Sequence, residues 1–400
     1  MPTQLLLTYD FPPLGGGIAR WMGELAKRYP AGSLVVSTGR HPGSEAVDSH
    51  LPNRVDRVPV ASERLRSIQG LAVWCRRARS LASSWDTEFT WCGNLKPAGY
   101  PAGWLKARLG VPFGILVHGG DLLILRRQAG GSVVKRRIAR TLLRQASVVV
   151  ANSNWTRDLC YSLLNELRIP SAPDTVRTVP LGADPILFRP GISQAAVRSH
   201  YRLDGRRWLL SVARLTRHKG IDTGLRVLAA LGDRYPDLGY AVVGSGAERN
   251  GLEALCRQLR LGDRVRFLGD VPDHDLAALY NSAEIYLGLS RLLPDRVEGF
   301  GISLAEAAAC GIPVIAARTG GIPEAVRDRE TGLLVNPDDP HEIAQAVGCL
   351  LDDSEQASRM GRAGRRMVET YYNWDRVTGD LVRIGHELGK PAKREAVLSP

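Results

Sequence analysis

The chain alternates short apolar runs with amphipathic helical stretches from one end to the other. This alternation is typical of parallel β-sheets covered by helices, because parallel strands must be joined by long crossover connections. It predicts an α/β fold. The predicted strands lie at 5–8, 33–37, 113–117 and 147–151 in the first half, and at 208–213, 241–243, 265–268, 285–287, 313–316 and 333–335 in the second.

A length of 400 residues exceeds what one hydrophobic core usually supports, so two domains are expected. The segment from Val179 to Gly191 is rich in turn-forming residues and lacks periodicity, which places the linker there. We therefore expect a first domain over residues 1–185 and a second over 186–370. A helix over 371–390 is expected to return to the first domain, and residues 391–400 are expected to be frayed.

The formal charge of +12 favours an anionic partner such as a membrane surface, a phosphorylated substrate or a nucleic acid. Arginines interleave with apolar residues over 64–79 and over 126–144, as in basic amphipathic helices. Each stretch alone fits a solvated helix face equally well, but two in one domain favour peripheral contact with an anionic membrane. Aromatic residues make up only 6% of the chain and no nucleic-acid-binding motif is present, so no nucleic acid partner is expected.

No stretch approaches the ~18 consecutive apolar residues of a membrane-spanning helix, and the N-terminus lacks the regions of a signal peptide. We therefore expect a cytoplasmic protein, with any membrane contact peripheral and on the inner face. The six cysteines lie far apart without histidine neighbours, so neither a disulfide framework nor a zinc site is predicted. The oligomeric state stays open.

Two glutamates mark the segment that indicates a binding site most clearly. Glu298 lies in a glycine-rich loop, and Glu306 follows eight positions later in a helix predicted over 303–310. The first N–H groups of that helix can meet an anion, and the carboxylates can accept hydrogen bonds from hydroxyl groups. Glu306 stands among alanines that suit close packing, and a buried glutamate is costly unless it is hydrogen-bonded, for which a bound ribose would serve. The alternative is a solvent-facing helical glutamate.

Two cations follow the first predicted strand of the second domain. Arg214 and Lys219 lie where open α/β sheets bind ligands, at the carboxyl end of a strand. Arginine grips phosphate oxygens through two N–H groups and lysine adds a point charge, so the pair suits a leaving diphosphate. The alternative is surface charge in a loop.

The first domain offers a glycine-rich turn and a histidine. Gly16 and Gly17 lie between a strand and a helix, where backbone N–H groups can face a diphosphate. The G-x-G-x-x-G spacing of a dinucleotide site is absent, which disfavours a nicotinamide cofactor. His118 follows a strand and enters a flexible turn, although a lone histidine is more often structural than catalytic.

These residues resemble the retaining glycosyltransferases of the large family that includes phosphatidylinositol mannosyltransferases and sucrose synthases. Glu298 and Glu306 stand at the E-x7-E spacing of that family, and the segment 319–324 follows where the family has its next motif. The resemblance covers nearly the whole chain and implies the GT-B fold, two Rossmann-like domains facing a central cleft. It extends to residues 11–20, 118–119, 152–153, 180–184 and 331–335.

The resemblance implies a role for each candidate residue. Arg214 and Lys219 would bind the donor diphosphate and neutralise the charge of the leaving nucleotide, and Glu298 and His118 would contact the transferred sugar. Because no Asp-x-Asp motif follows a first-domain strand, the two cations would replace a divalent metal, and no cofactor besides the nucleotide sugar is expected. The other implied donor contacts are Gly16 and Gly17 at the phosphates, Gly244 and Val271 at the nucleoside, Glu306 at the ribose, and the backbone of Phe300, Gly301, Ile302 and Ser303.

The implied activity is retaining transfer of a hexose to a lipid-linked or cell-envelope glycan acceptor. Mannose from GDP-mannose is favoured because the loop 291–297 resembles the phosphatidylinositol mannosyltransferase branch. A UDP-sugar donor stays open. A nucleotide-sugar epimerase of the same fold is the weaker alternative, because no acid/base residues facing C2 of the sugar are identified. A binding protein descended from the family is disfavoured, because it should have lost Arg214, Lys219 or either glutamate, and all four are present. The chain departs from the family pattern at Asp121. Close lipid-mannosylating relatives often carry a glutamate shortly after the histidine that corresponds to His118, whereas this chain has the shorter aspartate.

Overall fold

The computed structural model describes residues 3–390, which form two compact units. The first unit contains residues 3–179 and 374–390, and the second contains residues 180–373. The boundary falls before the predicted position at 185, because the chain already pairs with the end of the second unit at Ala183. The backbone N–H of Ala183 donates to the carbonyl of Tyr372 at 2.9 Å. The predicted tail 391–400 lies outside the described residues.

The first unit is built on a seven-stranded parallel sheet in the order β3-β2-β1-β4-β5-β6-β7. The fifth and sixth strands, 113–117 and 148–151, are buried on both faces, which explains their continuous apolar sequence. The strands are β1 (Thr3–Leu7), β2 (Leu34–Arg40), β3 (Arg54–Ala61), β4 (Thr87–Cys92), β5 (Phe113–Val117), β6 (Val148–Ala151) and β7 (Val176–Thr178). The helices are α1 (Gly17–Arg28), α2 (Ser44–Asp48), α3 (Ile68–Ser84), α4 (Gly99–Leu109), α5 (Gly120–Gly130), α6 (Val133–Gln145) and α7 (Asn154–Glu166).

The second unit has a six-stranded parallel sheet in the order β10-β9-β8-β11-β12-β13. Both units therefore confirm the predicted α/β class with parallel sheets. The strands are β8 (Arg207–Val212), β9 (Leu238–Val243), β10 (Val265–Gly269), β11 (Ile285–Gly288), β12 (Val314–Ala317) and β13 (Gly332–Val335). The helices are α8 (Ala195–His200), α9 (Ile221–Ala230), α10 (Arg249–Gln258), α11 (Asp273–Asn281), α12 (Ile302–Ala309), α13 (Ile322–Ala325), α14 (Pro340–Asp352) and α15 (Ser354–Thr370).

The last helix, α16 (Trp374–Leu388), belongs to the first unit. It packs against α1 and β4, and its buried face includes Trp374, Val377 and Leu381. His386 contacts the carboxylate of Glu88 in β4 at 2.6 Å. These contacts place the helix on the sheet of the first unit.

The two basic stretches are helical, and each is divided between two elements. A short 3-10 helix, Ser62–Arg66, precedes α3 in the first stretch. The second stretch is divided between α5 and α6 at Gly131 and Ser132, and the Ser132 side chain caps α6 by accepting from the N–H of Lys135. A serine cap and adjacent glycines favour a new helix start over continuation.

Candidate active site

The start of α12 has the geometry of an anion-binding helix terminus. Gly301 precedes the helix with φ of 96°, a conformation that favours glycine, and a Cβ there would lie 2.5 Å from the Leu304 side chain. The N-cap residue is a glycine and supplies no side-chain cap, so it does not satisfy the first N–H groups of the helix. Ile302 and Ser303 form the first turn.

Lys219 and Glu298 form an ion pair beside this helix start. The Nζ of Lys219 donates to Oε2 of Glu298, although the two residues are far apart in sequence. Their side chains are 18% and 22% exposed, so both remain accessible from one side. Burial opposes ionisation of Glu298, but Lys219, assisted by His218 and Arg214, outweighs it and lowers the pKa of the carboxyl. The carboxyl of Glu298 is therefore ionised at neutral pH.

Hydrogen bonds fix the loop that carries Glu298 at both of its ends. Arg291 donates two hydrogen bonds of 2.9 Å to the carboxylate of Asp222 in α9. Thr319 Oγ1 donates to the carbonyl of Ser290 at 2.6 Å, and the N–H of Gly321 donates to the carbonyl of Glu298 at 3.0 Å. The segment 319–324 that the sequence singled out therefore holds the loop in place.

Lys219, Glu298, Gly301 and Ser303 line one pocket of the second unit. We call it the Lys219–Glu298 pocket. Its remaining wall comes from the end of β8, from β11 and from the starts of α9 and α13. The structure thus brings together four of the residues predicted from sequence.

Glu306 is buried, with 5% of the residue exposed, as predicted for a helical glutamate among alanines. The hydroxyl of Tyr280 donates to its Oε2 at 2.8 Å. The Tyr280 hydroxyl is thus one partner within the protein, and the predicted contact of Glu306 with a bound ribose stays a prediction. Glu306 does not line the Lys219–Glu298 pocket.

Arg214 lies exposed in the loop after β8 and does not line this pocket. His218 lies between it and Lys219 in a 3-10 turn, Arg217–Lys219. Burial, followed by the charge of Lys219, lowers the pKa of His218 to about 4, so the ring is neutral at neutral pH. The local positive charge therefore comes from Arg214 and Lys219 and not from this histidine.

Gly244 and Val271 follow the neighbouring strands β9 and β10. Gly244 has φ of 121°, and a Cβ there would lie 2.0 Å from the carbonyl oxygen of Ala213, so any side chain would clash with backbone. Its N–H donates to the carbonyl of Gly269 at 2.7 Å. Phe300 is buried and packs on Tyr372 with ring centroids 5.5 Å apart, which makes its side chain a packing element.

In the first unit, Gly16 and Gly17 are exposed at the start of α1. Gly16 has φ of 111°, and no side chain caps this helix either. The prediction of free backbone N–H groups at a helix start therefore agrees with the local geometry.

His118 lies at the carboxyl end of β5. Its Nε2 contacts the carbonyl of Gly93 at 2.7 Å, and Trp21 meets its ring edge-on with centroids 5.2 Å apart. Asp121 Oδ1 accepts from the N–H of His118 at 2.9 Å and of Leu122 at 3.0 Å. The shorter acid at this position therefore closes the turn that carries His118.

The partners Tyr280, Asp222 and Trp21 were missed from sequence. Each comes from an element remote in the chain from the residue it contacts, and none belongs to a recognisable motif. Only the fold brings them together.

Comparison with known proteins identifies the family. Residues 194–367 match the family model "Glycosyl transferases group 1", and residues 15–186 match "Glycosyltransferase Family 4". The chain is 32% identical to a GDP-mannose-dependent alpha-(1-6)-phosphatidylinositol monomannoside mannosyltransferase of Mycobacterium tuberculosis, over 95% of this chain and 97% of that protein. It is 30% identical to a D-inositol 3-phosphate glycosyltransferase of Streptomyces scabiei, over 90% of this chain and 84% of that protein.

Solved structures share the architecture. HepE of Anabaena, crystallised with UDP and glucose, matches with a TM-score of 0.78 at 20% identity, over 96% of this chain and 99% of that one. Sucrose-phosphate synthase of Thermosynechococcus elongatus also matches with a TM-score of 0.78, at 23% identity, over 96% of this chain and 99% of that one. These matches confirm the predicted GT-B fold. The chain belongs to the group 1 glycosyl transferases and is a glycosyltransferase.

Proposed function

We propose that the protein is a retaining mannosyltransferase that uses GDP-mannose and acts without a divalent metal. The observation that carries the proposal is the Lys219–Glu298 pair in a pocket at the uncapped start of α12. Relatives at 32% identity over nearly the full chain are named as GDP-mannose-dependent mannosyltransferases, which supports the choice of donor.

In this proposal, the second unit stabilises the leaving nucleotide. A departing nucleoside diphosphate gains negative charge, and fixed cations together with helix N–H groups stabilise that charge more in the transition state than before it. Lys219 is held in place by Glu298, and the exposed Arg214 adds a second cation nearby. Glu298 keeps one carboxylate oxygen, Oε1, to accept from a sugar hydroxyl.

His118 is proposed to contact the transferred sugar. A carbonyl only accepts hydrogen bonds, so the contact with Gly93 requires the hydrogen of a neutral ring to lie on Nε2. Nδ1 is then an acceptor for a hydroxyl hydrogen. Asp121 accepts from the backbone N–H of His118, and Trp21 and the Gly93 carbonyl hold the ring, which suits a positioning contact.

The acceptor is proposed to contain inositol phosphate. Two groups of relatives match most of the chain, and one is named for phosphatidylinositol monomannoside and the other for D-inositol 3-phosphate. The names share an inositol with an esterified phosphate. A lipid-linked acceptor of this kind agrees with the notable positive charge of the chain.

Peripheral membrane contact through the first unit is part of this proposal. Val133 and Val134 at the start of α6 are 83% and 67% exposed, beside the exposed Lys135 and Arg137. Apolar side chains next to cations suit an anionic bilayer surface. No helix among residues 3–390 has the length and apolar character needed to cross a bilayer. Replacing both valines with serine should reduce cosedimentation with anionic vesicles and leave transfer to a soluble acceptor unchanged.

The proposal is tested by incubating the protein with GDP-mannose or UDP-glucose, with and without phosphatidylinositol monomannoside, in EDTA. GDP release that depends on the acceptor, and a product whose anomeric carbon keeps the donor configuration by NMR, would support it. Turnover only with UDP-glucose would select the alternative donor. Sugar epimerisation without an acceptor would select the epimerase, and activity lost in EDTA would refute metal independence.

A further inference from the structure

Three arginines share one exposed face of α15. Arg359, Arg362 and Arg366 are exposed, and at about 100° per residue they fall within about 60° of one another around the helix. The opposite face is buried and includes Gly361 and Gly364. The arginines therefore point away from the core that α15 covers.

A fourth arginine, in the turn before β13, lies beside the three arginines of α15. Arg329 lies in this turn, where the N–H of Arg327 donates to Oγ1 of Thr331 at 2.9 Å. The N–H of Leu334 donates to Asp328 Oδ1 at 2.8 Å, which further fixes the turn. The four arginines line a cleft of about 460 Å³, which we call the arginine cleft, together with Glu330, Gln356, Met360 and Ala363. This volume is within the range of small-molecule sites.

The protein balances the charges in the arginine cleft only in part. Glu330 is the one acidic residue that lines it, and its carboxylate contacts Arg327, outside the cleft, at 3.1 Å. Arg359 pairs with Glu355 at 2.6 Å, but both side chains are more than half exposed, and such pairs contribute little stability. Among residues 3–390, no ion pair involves Arg329, Arg362 or Arg366.

The arginine cleft is separate from the Lys219–Glu298 pocket, with which it shares no residue. On its buried side, α15 packs closely beside α12, and a Cβ on Gly361 would lie 2.0 Å from the carbonyl oxygen of Gly311. This close backbone contact makes α15 a rigid support for the arginines. A rigid array loses little conformational freedom when a ligand binds.

We propose that the arginine cleft binds a multiply charged phosphate group. Guanidinium groups match phosphate oxygens through paired N–H donors, and several of them in one cleft suit a dianion or a diphosphate better than a single carboxylate. The group could belong to a soluble polyphosphate or to a phosphomonoester lipid headgroup. No step of the proposed transfer reaction uses these residues.

The test titrates inorganic pyrophosphate into the Lys219→Ala protein by calorimetry, so that the proposed donor pocket is already impaired. The Arg362→Ala/Arg366→Ala change in this protein should weaken binding by about tenfold or more. The matched control, Arg226→Ala/Arg257→Ala, removes two exposed arginines of the same unit elsewhere and should leave binding unchanged. Arg362→Lys/Arg366→Lys keeps the charge and should give an intermediate affinity.

A second arm measures cosedimentation with phosphatidylcholine vesicles that contain phosphatidic acid, in the Val133→Ser/Val134→Ser chain, in which the proposed membrane contact of the first unit is already weakened. Loss of pyrophosphate binding with vesicle binding retained would identify a soluble ligand, and loss of vesicle binding would identify a headgroup. If the Arg362→Ala/Arg366→Ala protein and the Arg226→Ala/Arg257→Ala control bound each probe equally well, the proposal would be overturned. Unchanged melting temperature and unchanged transfer activity would show that the Arg362→Ala/Arg366→Ala protein is folded.

Discussion

All eight buried side-chain atoms that lack a hydrogen-bond partner among residues 3–390 belong to the first unit, and none belongs to the second. Three of them, Asn94 Oδ1, Asp121 Oδ2 and Asn152 Oδ1, belong to residues at or shortly after the carboxyl ends of β4, β5 and β6. The second unit instead pairs its two candidate carboxylates, Glu298 with Lys219 and Glu306 with Tyr280.

This difference in hydrogen-bond pairing indicates how each unit would bind a ligand. Unpaired polar atoms in a protein interior are costly, and they concentrate where a ligand can satisfy them. A carboxylate that is already paired is preorganised and loses little on binding. We therefore expect substitutions in the second unit to impair donor binding and stability, and substitutions of the unpaired groups to affect the acceptor with little effect on stability.

The largest effect is expected for Lys219→Ala. It removes the cation proposed to face the leaving diphosphate and leaves Glu298 without its partner, so kcat should fall by about 10²–10³, equivalent to about 2.7–4 kcal/mol. Steady-state kinetics with GDP-mannose measure it. Arg217→Ala, an exposed neighbour in the same turn, is the control and should retain activity. Full turnover by the Lys219→Ala protein would contradict the assigned role.

A smaller effect is expected on the free energy of unfolding when the pH is lowered, because His218 then takes up a proton. Its pKa is lowered from 6.5 to about 4, so the unfolded chain binds a proton that the folded chain excludes between these values. The free energy of unfolding should therefore decrease by about 1–3 kcal/mol as the pH falls from 6.5 to 4, with partial exposure reducing the full linkage value. Urea unfolding of the wild type and of His218→Ala measures it. The same pH slope in both proteins would exclude His218 as the cause.

Tyr280→Phe should cost about 1–3 kcal/mol of stability, because it removes a buried donor to Glu306 while keeping the ring. The KM for the donor should rise if Glu306 binds ribose. Tyr235→Phe provides the matched control, since its hydroxyl donates to Asp352 at 2.8 Å on another part of the unit. A donor KM raised equally by both changes would indicate general destabilisation.

The smallest change in stability is expected for Asn152→Ala in the first unit. Asn152 is buried, with 4% exposed, and its Oδ1 accepts no hydrogen bond from residues 3–390. Its loss should alter the free energy of unfolding by less than about 0.5 kcal/mol, while the KM for the acceptor should increase severalfold. If acceptor kinetics stayed at wild-type values, the unpaired groups would not mark the acceptor site.

Sequence patterns predicted the strands that are apolar throughout, such as β5 and β6, because strands buried on both faces carry continuous apolar runs. They did not predict β4, whose six residues are all buried although Thr87, Glu88 and Thr90 are polar. Glu88 is accommodated because the side chain of Gln4 donates to it at 3.1 Å and His386 contacts it. Both partners are remote in sequence, so no local pattern could indicate them.

In the candidate site, too, the sequence indicated individual residues but not their partners. Motif spacing identified Glu298 and Glu306, and strand position identified Lys219. The pairing of Lys219 with Glu298 and of Tyr280 with Glu306 depends on the order of strands in the sheet and on the packing of α11 beside β11, which local sequence does not encode.

The central claim is that the Lys219–Glu298 pocket binds the diphosphate of GDP-mannose, and thermal unfolding with GDP tests it most directly. At about 100 times its dissociation constant, GDP should stabilise the wild type and the Arg217→Ala protein by about 2.7 kcal/mol. The Lys219→Ala protein should show much less stabilisation at the same GDP concentration. Equal stabilisation of all three proteins would contradict the claim.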